Sequence, residues 1–328
     1  MKLLSLVLIL IGSISCQSQT HSKMTENKTN PLLCDPETGS CEIPAATTQG
    51  QSVNIPADTK AVKIIYYTDP ICSSCWGIEP QLRKLKLEYG SHFEIDYRMG
   101  GLLPDWSYNS GGISKPSDVA HHWHDASLYY QMPIDGDVWL EDPLDSSYPS
   151  CIAVKAAQIQ DKNKAVAFMR ILREKLYLEK MNIAKWDNIV VCAQLAGLDT
   201  QKLKQDYDAD AKKHFQDDLQ LARQLGVRGF PTLFFADGDG NKLTVYGSKP
   251  YASYENALLA LYPEAKKKKI VSNSPLALFD HYPTLTVREY AELLDIPLSE
   301  ATTILEKQTT EGHLSKKVIK TGALYLKK

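Results

Sequence analysis

Hydrophobic and polar positions follow two different periods along this chain. VKIIYYT (62–68) is a short, nearly continuous run rich in β-branched and aromatic residues between polar flanks, which predicts a buried strand. Beyond Pro70 the period lengthens. Trp76, Leu82, Leu85 and Tyr89 recur at helical spacing among Glu79, Arg83, Lys84 and Lys86, and Gly90 supplies a stop. FEIDYRMG (93–100) alternates apolar with polar and predicts a second strand. From Gly101 to about Gly226 strand signals largely vanish, and helices are expected over 116–132, 149–160, 165–180, 186–198 and 200–226. TLFFAD (232–237), the turn DGDGN and KLTVYGS (242–248) predict a β-hairpin, followed by a helix in SYENALLALYP (253–263).

The ends of the chain break this pattern. MKLLSLVLILIGSISC joins a basic residue, an apolar run too short to span a bilayer, and small residues ending at Cys16. Residues 1–16 therefore read as an export signal. A cysteine at that position resembles a bacterial lipoprotein cleavage site, which implies a lipid on Cys16, although Ser13 stands where the usual pattern has Leu. QSQTHSKMTENKTNP (17–31) has no hydrophobic period and predicts a polar tether, within an N-terminal segment 17–60 that also carries Cys34 and Cys41. At the other end, Lys266 to Lys269 mark a basic, solvated linker (264–274). Residues 275–328 then predict a short helix in PLALFDHYP, helices in TVREYAELLDI and LSEATTILEKQTTEG, and two strands around Lys320-Thr321-Gly322. Three helices and a hairpin resemble a winged-helix module, a class that often binds DNA. An exported chain meets no operator, so the expectation is a packing or protein-partner module.

The whole is an α/β chain: residues 61–263 in the element order of a thioredoxin-like fold, split by a helical insert at about 101–226, plus the small C-terminal module. The first strand–helix–strand unit is expected to be parallel and right-handed. Net charge is −2 over 328 residues, so no global field points to nucleic acid. Export places the thiols in an oxidising compartment, and six cysteines remain after Cys16: Cys34, Cys41, Cys72, Cys75, Cys151 and Cys192.

TDPICSSCWGIEP (68–80) puts two of them where a strand becomes a helix. Thiolate, not thiol, attacks a disulfide, and the unsatisfied N–H groups and dipole of a helix N-terminus lower a thiol's pKa. Cys72 is expected there with its sulfur exposed. Cys75, one turn on and more buried, is positioned to resolve a mixed disulfide formed at Cys72. GVRGFPT (226–232) precedes the hairpin strand. Phe230-Pro231-Thr232 is the triplet expected to carry a cis X-Pro bond facing the cysteine pair, with backbone groups that bind a substrate chain as an added strand.

With those motifs in place the sequence resembles the DsbA-like branch of thiol–disulfide oxidoreductases. TDPICSSCWGIEPQLRKL, MPIDGDVWLEDPLDSSYPSCIAVKAAQ (132–158) and GVRGFPT resemble its FrnE-like subgroup, which is similar to the SpxH-type adaptors of the ClpXP protease. The resemblance spans roughly residues 60–262. It implies redox work on cysteine pairs of extracytoplasmic client proteins, with Cys72 and Cys75 catalytic and Pro231 in the substrate loop. It also implies a redox partner that recycles the pair, with no cofactor and no metal. Two departures matter. The pair encloses Ser73-Ser74, with no His to support the Cys72 thiolate, so a weaker oxidant than DsbA (about −120 mV) is expected. Export would also separate the chain from a cytosolic protease, so the adaptor role is not carried over. The alternative from another class is a non-catalytic adaptor or chaperone-like binding lipoprotein that uses the groove and the C-terminal module.

The remaining candidates divide. CDPETGSC (34–41) spaces Cys34 and Cys41 around turn residues, and a structural staple is preferred over a second redox pair feeding the CxxC. Cys151 and Cys192 either bridge two insert helices or stay inert buried thiols. A four-thiolate zinc site from Cys34, Cys41, Cys72 and Cys75 ranks last. In HHWH (121–124), His121 and His124 share a helix face, and these residues are expected to line a groove between insert and core rather than hold a metal. Glu79 is either a proton acceptor for Cys75 or, preferred, an exposed helix carboxylate. Trp76 is expected beneath the active-site turn.

Overall fold

The computed structural model describes residues 34–35, 39–42, 60–107, 113–268 and 274–328, with Cys34, Asp35 and Glu42 described by their backbone alone. The export signal, Cys16 and the polar tether lie outside the described residues. In chain order the elements begin with β1 (Cys34–Asp35), β2 (Ser40–Glu42), β3 (Val62–Thr68), α1 (Ser73–Gly77), α2 (Glu79–Tyr89) and β4 (Phe93–Met99). The insert supplies α3 (Pro116–Tyr130), α4 (Val138–Glu141), α5 (Tyr148–Gln160), α6 (Lys162–Glu179), α7 (Trp186–Leu195), α8 (Thr200–Asp208) and α9 (Asp210–Gln224). Then come β5 (Gly229–Phe230), β6 (Thr232–Asp237), β7 (Lys242–Tyr246) and α10 (Tyr251–Leu261). The C-terminal module follows with a 3₁₀ turn at Ala277–Asp280, β8 (Thr284–Thr286), α11 (Val287–Leu294), α12 (Leu298–Thr310), β9 (Leu314–Ile319) and β10 (Gly322–Lys327).

β3 lies in the middle of a four-stranded sheet ordered β4-β3-β6-β7. It runs parallel to β4, with Ile64 opposite Ile95, and antiparallel to β6, with Ile65 opposite Phe234. Both faces of β3 are covered, which is why its sequence is a nearly continuous apolar run, broken only by Lys63, rather than an alternation. Val62, Ile64 and Tyr66 pack with Leu82 and Leu85 of α2 and Leu258 of α10. Ile65 and Tyr67 face the larger core shared with the insert, which includes Trp123, Phe168, Leu172 and Phe215.

Three elements depart from expectation. The helix foreseen over 200–226 is two, separated at Ala209 (φ −108°, ψ −108°), so that α8 and α9 each pack on α5. The short α4 and the strand β8 have no periodic signature. β8 makes the C-terminal sheet three-stranded, β8-β10-β9, instead of a two-stranded hairpin. The basic linker also docks back onto the body, because Lys267 pairs with Glu88 and Glu255 at 3.1 Å each. Among the described residues no helix is long and apolar enough to cross a membrane.

Candidate active site

The site is assembled at the C-terminal end of β3. Asp69 organises the turn that leaves the strand: its carboxylate accepts the N–H groups of Ile71 (3.0 Å) and Leu102 (2.7 Å), the Ser147 hydroxyl (2.9 Å) and the Cys151 thiol (3.2 Å). Burial pushes its carboxyl above the usual range, and those donors oppose the shift. The Asp69 carbonyl accepts the Cys72 N–H at 3.1 Å. Cys72 thereby becomes the N-cap of α1, and the Cys75 backbone N–H donates to its Sγ at 3.2 Å. That is the capping bond that favours a thiolate.

The floor beneath the pair is aromatic and cationic. Trp76 is fully buried, donates its indole N–H to the Pro133 carbonyl (3.1 Å), and stacks on Tyr177 with ring centroids 5.4 Å apart. Tyr177 in turn meets Trp123 at 4.8 Å. Arg170 lies 4.3 Å over the Trp76 ring. Gly77 is required beside this stack, because a Cβ there would fall 2.4 Å from the Tyr130 ring. The Tyr130 hydroxyl shares a 2.7 Å hydrogen bond with Ser74, so the residue between the two cysteines is held by the insert.

Arg173, a residue that the motif reading missed, supplies the local positive charge. It is fully buried on α6 and donates to Thr68 Oγ1 at 2.6 Å, to the Asp69 carbonyl at 3.3 Å and to Glu79 at 2.5 Å. The available signal was the placement of Arg170 and Arg173 beside Met169, Leu172 and Leu176 in a buried helical stripe, where arginine needs a partner. Glu79 is accordingly not an exposed carboxylate. It sits half-buried among Arg173, Arg83 and Arg170.

Phe230–Pro231 is a cis peptide, and Thr232 Oγ1 donates to the Gly229 carbonyl at 2.6 Å. Phe230 packs over Gly100, where a Cβ would fall within 2 Å of its ring. β5 does not stand open. β2 pairs with it antiparallel, Cys41 opposite Phe230 and Glu42 opposite Gly229, and β1 pairs with β2, Cys34 opposite Cys41. Cys41 is disulfide-bonded, which removes the four-thiolate zinc arrangement. Its Sγ lies 3.6 Å from Cys72 Sγ and 3.4 Å from Ser74 Oγ.

This cover corrects the expectation of an exposed Cys72 sulfur: Cys72 is 0% exposed, as is Cys75. Burial first, then hydrogen bonding and repulsion with Cys75, push the Cys72 thiol up, while the Cys75 N–H and Arg173 oppose. Burial works against ionisation of Cys75 too. The hydrogen bond from Cys72 and the charge of Arg173 nonetheless bring its thiol down. Under the hairpin, then, burial raises the Cys72 thiol, and the Cys72 hydrogen bond and Arg173 lower that of Cys75.

The other candidates fall elsewhere. Cys151 and Cys192 are separate free thiols, both buried, so the insert carries no bridge between them. Burial and the Asp69 charge push Cys151 up, and burial pushes Cys192 up to about 12, which leaves both unreactive. His121 and His124 line a shallow pocket of about 320 Å³ with Asp137, Leu140, Lys320 and Thr321. That pocket lies between the insert and the C-terminal module, not against the thioredoxin core, because β10 and its turn pack on the 134–137 segment.

Comparison with known proteins agrees with this geometry. The family model described as Thioredoxin matches residues 66–256. The chain is 36% identical to the ClpXP adapter protein SpxH of Halalkalibacterium halodurans, over 90% of this chain and 96% of that protein. Against SpxH of Bacillus subtilis (strain 168) the identity is 30%, over 80% and 87% respectively. Among solved structures, the cytosolic disulfide reductase DsbM of Pseudomonas aeruginosa shares the fold, with 22% identity and a TM-score of 0.50 over 61% of this chain and 99% of that one. The chain therefore belongs to the DsbA-like thioredoxin-fold family, in the branch that holds the SpxH proteins.

Proposed function

We propose that this protein is a thiol–disulfide oxidoreductase acting on the cysteines of client proteins. Cys72 forms the mixed disulfide and Cys75 resolves it. The observation that carries the reading is Cys72 at the helix cap, its sulfur on the Cys75 N–H and 3.6 Å from that of Cys41, which pairs with Phe230 of β5. Arg173 favours the ionised form of the Cys75 thiol, and Asp69 and Ser74 hold the turn in place. Once β2 leaves β5, Phe230, Pro231 and Thr232 offer the client a backbone edge for strand addition. The signal-like residues 2–16 support an exported chain anchored through Cys16 and facing the cell exterior or periplasm, where a redox partner would recycle the pair. The C-terminal module, winged-helix-like in its three helical segments and its hairpin, is read as a docking element of the same chain.

The relatives' description as ClpXP adapter proteins favours a second reading, in which the chain binds a protein partner without turning over its thiols. Trapping separates the two. A Cys75→Ser chain that also carries Cys34→Ser and Cys41→Ser, expressed in its host, is expected to accumulate mixed disulfides through Cys72, visible on non-reducing gels and abolished by a further Cys72→Ser change. Capture of partners by Cys72→Ser and native chain alike, with no reducible adduct, would favour the adaptor.

A further inference from the structure

The hairpin of β1 and β2 occupies the place that a client backbone needs. Its strand β2 completes β5, with Cys41 opposite Phe230, the residue before Pro231. The Gly39 carbonyl accepts the Ser248 N–H (2.6 Å), and Ser40 donates to the Tyr246 hydroxyl (3.0 Å). Gly39 has a φ of +63°, and a Cβ there would fall 2.8 Å from Ser248, so the turn seats only with glycine. Cys41 is 1% exposed, and its disulfide sulfur faces the Cys72 thiol at 3.6 Å, close to the separation of a near-attack pair. A disulfide that only stapled the hairpin would hold it equally well facing solvent.

Resting on the oxidoreductase reading above, we propose that the Cys41 disulfide is an internal substrate of the Cys72–Cys75 pair, bound in the client position and exchanged without leaving the chain. Cys34, which the ladder sets opposite Cys41, is the assigned partner. Cys72 gives up its proton, which passes to the departing Cys34, and its thiolate attacks Cys41 Sγ. The Cys34–Cys41 bond breaks, Cys34 leaves as thiolate, and a Cys72–Cys41 disulfide forms. Cys75 thiolate then attacks Cys72 Sγ, the Cys72–Cys41 bond breaks, and Cys41 leaves as thiolate. Two electrons pass from the CxxC to the hairpin, and the two thiol protons end on Cys34 and Cys41. No outside reagent is consumed. An external disulfide reaches Cys72 only when β2 leaves β5, so the hairpin is a redox relay and the occupant that a client must displace.

The test uses the full chain, reduced, given one equivalent of diamide, then acid-quenched over time, alkylated and peptide-mapped without reduction. The disulfide is expected to redistribute between Cys72–Cys75 and Cys34–Cys41 at a rate unchanged by dilution over about tenfold, as an intramolecular step requires. A Cys75→Ser chain carrying the hairpin disulfide is expected to yield a Cys41–Cys72 peptide and an alkylated Cys34. A redistribution rate proportional to concentration, or no Cys41–Cys72 peptide in Cys75→Ser, overturns the proposal. The reading beneath it is judged separately, on turnover of a disulfide-bonded peptide by a chain with Cys34→Ser and Cys41→Ser. Turnover there without internal exchange in the native chain sinks the relay alone. Internal exchange without turnover keeps the relay and removes external clients.

Discussion

Two peripheral regions dock on the thioredoxin body, the N-terminal hairpin and the C-terminal module, and they use different physics. Among the described residues the hairpin is held by short backbone ladders, by polar contacts of Gly39, Ser40 and Cys41, and by a sulfur–sulfur contact. The module is held by buried charge. Glu289, fully buried at the N-terminus of α11, accepts two hydrogen bonds from Arg170 (2.7 and 3.1 Å) and pairs with Arg83 at 3.2 Å. Its own capping box with Thr286 uses the same carboxylate. Arg83 also donates to the Thr284 carbonyl (2.7 Å), and Thr321 exchanges two 2.9 Å hydrogen bonds with Ile134. Removing one charge of the second interface leaves its partners buried and unpaired, whereas breaking the first returns backbone groups to water. The module is thus expected to stay docked under conditions that displace the hairpin.

The sharpest way to break that contrast is Glu289→Ala. It leaves Arg170 and Arg83 without their buried partner and is expected to cost about 3–5 kcal/mol. Denaturant unfolding measures this, and a loss below about 1 kcal/mol would remove the special status of the module.

Acid should act on the same bond. Burial raises the Glu289 carboxyl, but Arg170, Arg83 and the Thr286 N–H outweigh it and hold the group below its usual value. A depressed folded pKa contributes stability that is present above the unfolded value, about 4.3, and is lost as pH falls through the folded one. Native stability should decline below that pH, and the decline should be shallower in Glu289→Gln. Equal slopes in both chains would mean that other carboxylates carry the acid sensitivity.

Cys41→Ser tests the other side of the comparison. Alkylation of Cys72 by iodoacetamide should quicken about tenfold as hairpin opening becomes easier by roughly 1.4 kcal/mol, while the unfolding midpoint of the body hardly moves. An unchanged alkylation rate would show that the hairpin does not limit access. The smallest effect is expected from Thr321→Val, which removes two hydrogen bonds at the module's edge for about 1 kcal/mol and should leave Cys72 alkylation unaltered.

The legible part of the molecule was its local part. VKIIYYT reads as a strand because both of its faces are buried, and β3 runs over the same residues. Cys72 and Cys75 fall at the strand–helix junction because Asp69-Pro70 ends the strand and the helical period starts at once. Phe230–Pro231 enters β6 from the loop that its sequence marks. Less legible were residues whose signal depends on a distant neighbour. Arg173 reaches the Thr68–Asp69 turn from more than 100 positions away, and periodicity only marks it as misplaced in an apolar stripe. β8 is three residues that become a strand because β10 is there to pair with them.

The sequence by itself determined the main elements, their order and the place of the cysteine pair at the strand–helix junction, since period, capping and turn chemistry act over a few residues. Only the tertiary structure decided what surrounds that pair. Cys151 and Cys192 stay apart as thiols, Glu79 is drawn into an arginine cluster, and Cys41 is set on Cys72 across 31 positions. Such encounters depend on how faces pack after the elements form, and nothing in a local pattern records which edge strand a distant hairpin will complete.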